Sequence, residues 1–169
     1  MRATTTALDR LTPIAFQRPA SLARLGRRWR EQRLDAGTPP DQVLRHPNGD
    51  TYLRRWHLYR DPTGAGNLYL HCFHTSDPQV TFHDHPWDWL TVVLDGHYRE
   101  HRPDTYYDRE AGDVGLAFSE QPHWIELLSH TAWTLFITGP KCREWGFLAN
   151  PTDPASWTHW QDYLGLTPA

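Results

Sequence analysis

Polar and apolar residues alternate along much of the chain between residues 50 and 140, and this period of two predicts strands. Tyr52, Arg54, Trp56, Leu58 and Arg60 fall on one side of a first strand, with Leu53, Arg55, His57 and Tyr59 on the other. Gly64-Ala65-Gly66 turns the chain into a second strand, from Asn67 to His74. Further strands are expected at 79–83, 87–95, 97–102, 104–109, 113–118, 122–128 and 132–138, with a short one from Arg143 to Phe147. Asp95-Gly96 has the residues of a two-residue hairpin turn. Upstream the period changes. Ser21 as N-cap, followed by Leu22, Leu25, Trp29 and Leu34, predicts a helix from Pro19 that ends at Gly37-Thr38-Pro39-Pro40. Residues 1–20 read as a loosely held arm. Residues 41–50 read as an irregular link closed by a turn at Pro47-Asn48-Gly49-Asp50. Trp157, Trp160, Tyr163 and Leu164 suggest a short tail helix packed back on the body.

Many short strands, punctuated by 14 Pro and 11 Gly, favour an all-β antiparallel sandwich or barrel. The 169 residues suit one domain. Within it, an arm and helix occupy 1–50, the barrel 51–150 and the helical tail 151–169. Mean hydropathy is −0.70. No apolar run approaches the ~20 residues that span a bilayer, and no signal-peptide core follows Thr4-Thr5-Thr6. A cytoplasmic protein with no membrane partner is therefore expected. A net charge of −3 argues against a broad nucleic-acid surface. The one basic cluster, Arg24, Arg27, Arg28, Arg30 and Arg33, reads as the solvated face of the helix. Cys72 and Cys142 follow no metal or disulfide spacing and read as free thiols, with a place in the wall of a metal cavity as the alternative.

The candidate chemistry lies in three histidines. His83 and His85 stand in Thr81-Phe82-His83-Asp84-His85-Pro86-Trp87, and His123 in Gln121-Pro122-His123-Trp124. His-x-His on an extended strand puts both imidazoles on one face. A third His from a neighbouring strand completes a three-nitrogen face for a divalent metal, with coordination positions left for water, substrate or dioxygen.

These residues resemble the cupin superfamily. Its first motif, Gly then His-x-His, three or four residues, Glu, six residues and Gly, is matched by His83-Asp84-His85 and Gly96, but Trp89 stands where the Glu ligand falls. Its second motif is matched by Gly112-Asp113 and Pro122-His123, with a degraded Pro-x-Gly element and Leu127 at the Asn position. A narrower likeness, to small cupin-like proteins of bacteria and phages without an assigned activity, rests on His83-Asp84-His85-Pro86-Trp87 and three further segments. These are Asn67-Leu68-Tyr69-Leu70-His71, Phe136-Ile137-Thr138-Gly139-Pro140 and Arg143-Glu144-Trp145-Gly146-Phe147. The resemblance implies a cupin-type double-stranded β-helix, a jelly-roll barrel, with an N-terminal helical extension and a short C-terminal helix. It also implies a metal inside the barrel on His83, His85 and His123, and a homodimer paired through its sheets. Cupins that lack the Glu include iron enzymes that oxygenate thiols.

A mononuclear non-haem iron(II) oxygenase acting on a small molecule with dioxygen is therefore the favoured function. Zinc, manganese or nickel are alternative metals. A redox-neutral isomerase, lyase or hydrolase, or a barrel that only binds a small ligand, are alternative functions. Tyr69, His71 and Arg143 are the candidate catalytic groups, as proton donors or as an anchor for a carboxylate. Arg55, Trp87, Trp89 and Trp133 are the candidate pocket wall. Asp88, one residue before Trp89, reaches the metal only if a bulge turns it inward. His97 and His101 share a face opposite Glu100, and no chemistry is assigned to that strand.

Overall fold

The computed structural model describes residues 17–78 and 81–166. The expected arm therefore lies almost wholly outside the described residues, as does the start of the strand expected at 79–83. The described residues form helix α1 (Pro19–Asp35) and twelve strands. In order these are β1 (Gln42–Arg45), β2 (Thr51–Arg60), β3 (Asn67–Phe73), β4 (Phe82–His83), β5 (Trp89–Asp95) and β6 (His97–Arg102). There follow β7 (Thr105–Glu110), β8 (Val114–Ala117), β9 (Trp124–Leu127), β10 (Ala132–Thr138), β11 (Gly146–Leu148) and β12 (Trp157–His159). Helix α2 (Trp160–Tyr163) closes the described chain.

The barrel is one long hairpin rolled up. Its tip is the antiparallel pair β6·β7. Going outward from the tip, β5 pairs with β8, His83 of β4 bridges to His123 just before β9, and β3 pairs with β10. The rolling places β3, β10, β5 and β8 in one sheet, extended at its edge by β2 and β1. It places β6, β7 and β9 in the facing sheet, with β4 leading on to β11 and β12. That strand order is the double-stranded β-helix.

Strand parity decides what each face of the larger sheet does. Trp56, Leu68, Leu70, Cys72, Leu90, Val92, Leu94, Leu135 and Ile137 point outward and form the main core with Leu22 and Ala23 of α1. Gly26 lets the helix come close, since a Cβ there would sit 2.6 Å from Leu94 Cδ2. The opposite face looks into the barrel and carries the polar and aromatic residues of the candidate site. No helix among the described residues is long and apolar enough to cross a membrane.

Several local expectations are corrected. Ser21 lies inside α1, whose N-cap is Arg18 with no side-chain hydrogen bond, because Pro19 already fixes the helical entry. Leu25 and Leu34 are exposed; the helix face that packs is Leu22, Ala23 and Gly26. Part of the expected link at 41–50 is strand β1, held by antiparallel pairing to β2. Asp95-Gly96 is no hairpin: β5 and β6 belong to different sheets, and Gly96 turns the corner between them. Its φ of 75° and the Thr131 carbonyl, 2.0 Å from where a Cβ would stand, admit only glycine. The tail holds a strand, β12, before its four-residue helix.

Candidate metal centre

His83 and His123 are opposed residues on the two arms of the rolled hairpin. Each donates its backbone N–H to the other's carbonyl, both at 2.9 Å. Directly opposed residues of an antiparallel pair send their side chains to the same face. His85 follows two residues after His83 and is fixed by its backbone N–H donating to the Ser119 carbonyl at 3.0 Å. The ring centroids form a nearly equilateral triangle: 5.0 Å for His83–His123, 5.2 Å for His83–His85 and 5.0 Å for His85–His123. One nitrogen from each ring lies within 4.8 Å of the others, so the three histidines can hold a metal ion. Nε2 of His85 and Nε2 of His123 are 2.8 Å apart. Adjacent nitrogens of an octahedral ion with bonds of ~2.1 Å would stand about 3.0 Å apart. The donor set fits a divalent ion.

The electrostatics suit ligation, which needs neutral imidazoles. Burial pulls His83 down to about 4, against the opposing pull of Asp77. Burial, and then the neighbouring histidines, hold His85 well below the ordinary histidine range. Asp77 Oδ2 lies 3.8 Å from His83 Nδ1. On the far side, Glu100 Oε1 accepts from Nδ1–H of His123 at 3.2 Å, which leaves the His123 Nε2 lone pair directed away from the carboxylate. Glu100 is fully buried. Its other partners are Arg102 and a two-pronged contact from Arg109 (3.1 and 3.0 Å). Burial alone would raise Glu100, but the His123 hydrogen bond and these cations outweigh it and bring it down to about 2.

The histidines stand in the wall of a cavity of about 100 Å³ that also takes in Arg55, His71, Trp87, Trp89 and Phe136. Trp89, at the position of the missing Glu, is buried with its ring centroid 5.0 Å from that of His123. The indole N–H groups of Trp87 and Trp89 are buried without a partner among the described residues. Arg55 and His71 face each other across β2 and β3, and Arg55 Nε–H donates to His71 Nε2 at 2.8 Å. Burial, then the Arg55 charge, keeps His71 neutral, so it serves Arg55 as an acceptor. Tyr69 stacks on His71 and under Arg55 but stands outside the cavity wall. Burial raises its phenol, which stays protonated.

Two expected site residues point elsewhere. Trp133 shares the parity of Leu135, so it lies on the outer face, stacked on Trp56 at 5.4 Å. Arg143 does not line the cavity: its guanidinium pairs with Asp84 at 2.7 Å. Asp84 also accepts from Gly146 N–H at 2.7 Å and from the Trp157 indole at 2.9 Å, so it ties β11 and β12 to the metal-binding segment. Asp88 accepts from Ser119 N–H at 2.8 Å and does not join the histidines.

Glu100 and Asp77 support the site and were not picked out from sequence. Glu100 carried a legible signal: it shares parity with Tyr98, the apolar residue of a strand otherwise full of charge. Asp77 sits in the connection after β3, where no periodicity marks it.

No family model matches the chain, and no curated protein is a significant match. Its likeness is to solved structures. An RmlC-like cupin protein from Ralstonia eutropha JMP134 has a TM-score of 0.49 and 12% identity, over 73% of this chain and 77% of that one. A protein described as FeII HppE has a TM-score of 0.47 and 14% identity, over 59% and 62%. An HTH_3 family transcriptional regulator from Vibrio cholerae has a TM-score of 0.44 and 16% identity, over 55% of this chain and only 53% of its own length. The rolled hairpin and its strand order give this chain the cupin-type fold.

Proposed function

We propose that this chain is a metal-dependent cupin and acts as a mononuclear non-haem iron(II) oxygenase on a small molecule. The observation that carries the reading is the triangle of imidazoles at His83, His85 and His123, in the wall of a small aromatic cavity. Three histidines without cysteine suit iron(II), and the cis-like spacing of two nitrogens leaves room for further ligands. Bound iron(II) supplies the one-electron chemistry that dioxygen requires. Glu100 holds His123 in the tautomer that presents Nε2. Trp87, Trp89 and Phe136 restrict water and confine the substrate. His71 and the Tyr69 ring fix the Arg55 guanidinium.

The test is elemental analysis of protein purified without added metal, followed by oxygen uptake with iron and candidate thiols, phenols and small acids. Stoichiometric iron binding and uptake that disappears in His123→Ala support the reading. Stoichiometric zinc with indifference to oxygen replaces it with a redox-neutral isomerase, lyase or hydrolase. A protein that takes up no metal is a ligand-binding barrel.

A further inference from the structure

Arg55 is the one cation in the cavity wall among the described residues. It projects from β2 into the barrel, next to the centre that the proposed function rests on. Its protein partners are all neutral. Nε donates to His71 at 2.8 Å, one terminal nitrogen donates to Gln42 Oε1 at 3.2 Å, and the Tyr69 ring lies 4.9 Å from the guanidinium carbon. No carboxylate among the described residues lies within ion-pair distance of it. By contrast, Arg30, Arg99, Arg102, Arg109 and Arg143 each have one. The second terminal nitrogen makes no hydrogen bond to a described protein group, so the end of the fork is free to donate.

Charge balance points the same way. Asp77 is the sole carboxylate in the wall among the described residues, and it is engaged by the Tyr52 hydroxyl and by Ile125 N–H at 2.7 Å. Three neutral imidazoles leave a divalent ion its full charge. With Arg55 added, the cavity exceeds Asp77 by two positive charges. A partly buried guanidinium without a counter-ion is costly, and a planar fork matches a carboxylate in geometry. The remaining wall is largely apolar and the space small, which suits a short carbon skeleton.

We propose that Arg55 is the anion subsite of this cavity and that the site takes a small organic acid. The carboxylate lies on the Arg55 guanidinium, and a second donor atom of the same molecule turns to the three-histidine centre. His71 is a positioning residue, because it fixes the Arg55 fork and leaves its end directed to the ligand. This inference rests on the metal-centre reading.

The test uses cobalt(II)-loaded protein, thioglycolate as the acid and 2-mercaptoacetamide as its neutral twin. Binding is followed by the cobalt absorption spectrum and by calorimetry. Wild type is expected to bind cobalt stoichiometrically and to prefer thioglycolate. Arg55→Gln is expected to bind cobalt equally, to lose at least about tenfold in thioglycolate affinity, and to bind the amide unchanged. Cobalt stoichiometry also checks the fold; where Arg55→Gln fails it, Arg55→Lys is read instead and is expected to weaken thioglycolate severalfold, since it lacks the fork. Normal cobalt binding with undiminished thioglycolate affinity in the variant overturns the Arg55 subsite and leaves the metal reading standing. Failure of wild type to bind cobalt overturns the metal reading. The metal-free protein is then titrated with thioglycolate, and Arg55-dependent binding keeps the anion subsite while its absence removes it.

Discussion

Glu100 Oε1 lies 3.2 Å from Nδ1 of His123, and both side chains are buried. The contact sets which His123 nitrogen keeps a free lone pair. The same carboxylate neutralises Arg102 and Arg109. Glu100→Gln keeps the shape but loses the charge and leaves two guanidinium groups without compensation. Metal affinity is expected to fall about 10- to 100-fold. Stability is expected to fall by roughly 3–5 kcal/mol, as for other buried pairs stripped of one partner. Metal titration and urea unfolding check the two effects separately. An unchanged metal affinity would remove Glu100 from the site.

The histidines also set a pH dependence for the metal-free protein. His83 is held at about 4 in the folded chain by burial, against an ordinary value near 6.5 when unfolded. The unfolded state therefore binds the extra proton first as pH falls. Stability is fully present above about pH 6.5 and declines towards pH 4, by roughly 3 kcal/mol from this residue at about 1.4 kcal/mol per pH unit. His85 and His71 shift in the same direction. Urea midpoints measured from pH 7 to 4.5 should fall steadily, and His83→Asn should flatten the curve. Saturating metal should delay the fall, since protons and metal compete for the same nitrogens.

Asp84 stands between two proposed ligands and turns away from them to hold Gly146, Trp157 and Arg143. Asp84→Ala removes all three contacts. The expected cost is about 3 kcal/mol or more, because Asp84 is buried and its donors lose their acceptor. The sign specific to this contact is local: amide exchange should accelerate across β11 and β12 more than in the β3·β10 pair. Uniform acceleration throughout the barrel would contradict a local tether.

Parity made much of this architecture readable. The alternation in Tyr52–Arg60 placed Arg55 on the face opposite Trp56, as the structure has it. His-x-His placed two imidazoles together, and the third came with them. The same rule, applied from Leu135 and Ile137, puts Trp133 outside against α1; its nearness in sequence to inward residues was misleading. Arg143 was unreadable for another reason. Its partner Asp84 is distant in sequence, and a guanidinium after a turn carries no local mark of the carboxylate it will meet. Strands β1 and β12 are short edge strands, held by their neighbours' hydrogen bonds rather than by an apolar pattern. Gly96 looked like a hairpin because Asp-Gly suits one, yet only the pairing partners of β5 and β6 show a corner between sheets.

Trp89 offers the sharpest contrast between folding and binding. It is buried against His85, His123 and Phe136, at the position where the cupin motif carries a carboxylate ligand. A buried Trp removes some 150–250 Å² from water, worth about 4–6 kcal/mol at 25 cal/mol per Å². Trp89→Glu forfeits that contribution and places a carboxylate beside the three imidazoles. The metal-free variant should therefore be less stable by several kcal/mol. Its affinity for zinc should nevertheless rise, by about tenfold or more, because a fourth, anionic ligand now shares the ion's charge. Unfolding with and without zinc separates the two effects: added zinc should recover more stability in Trp89→Glu than in wild type. Equal recovery would mean that the residue 89 side chain does not reach the ion, and that the three histidines converge somewhere other than beside Trp89.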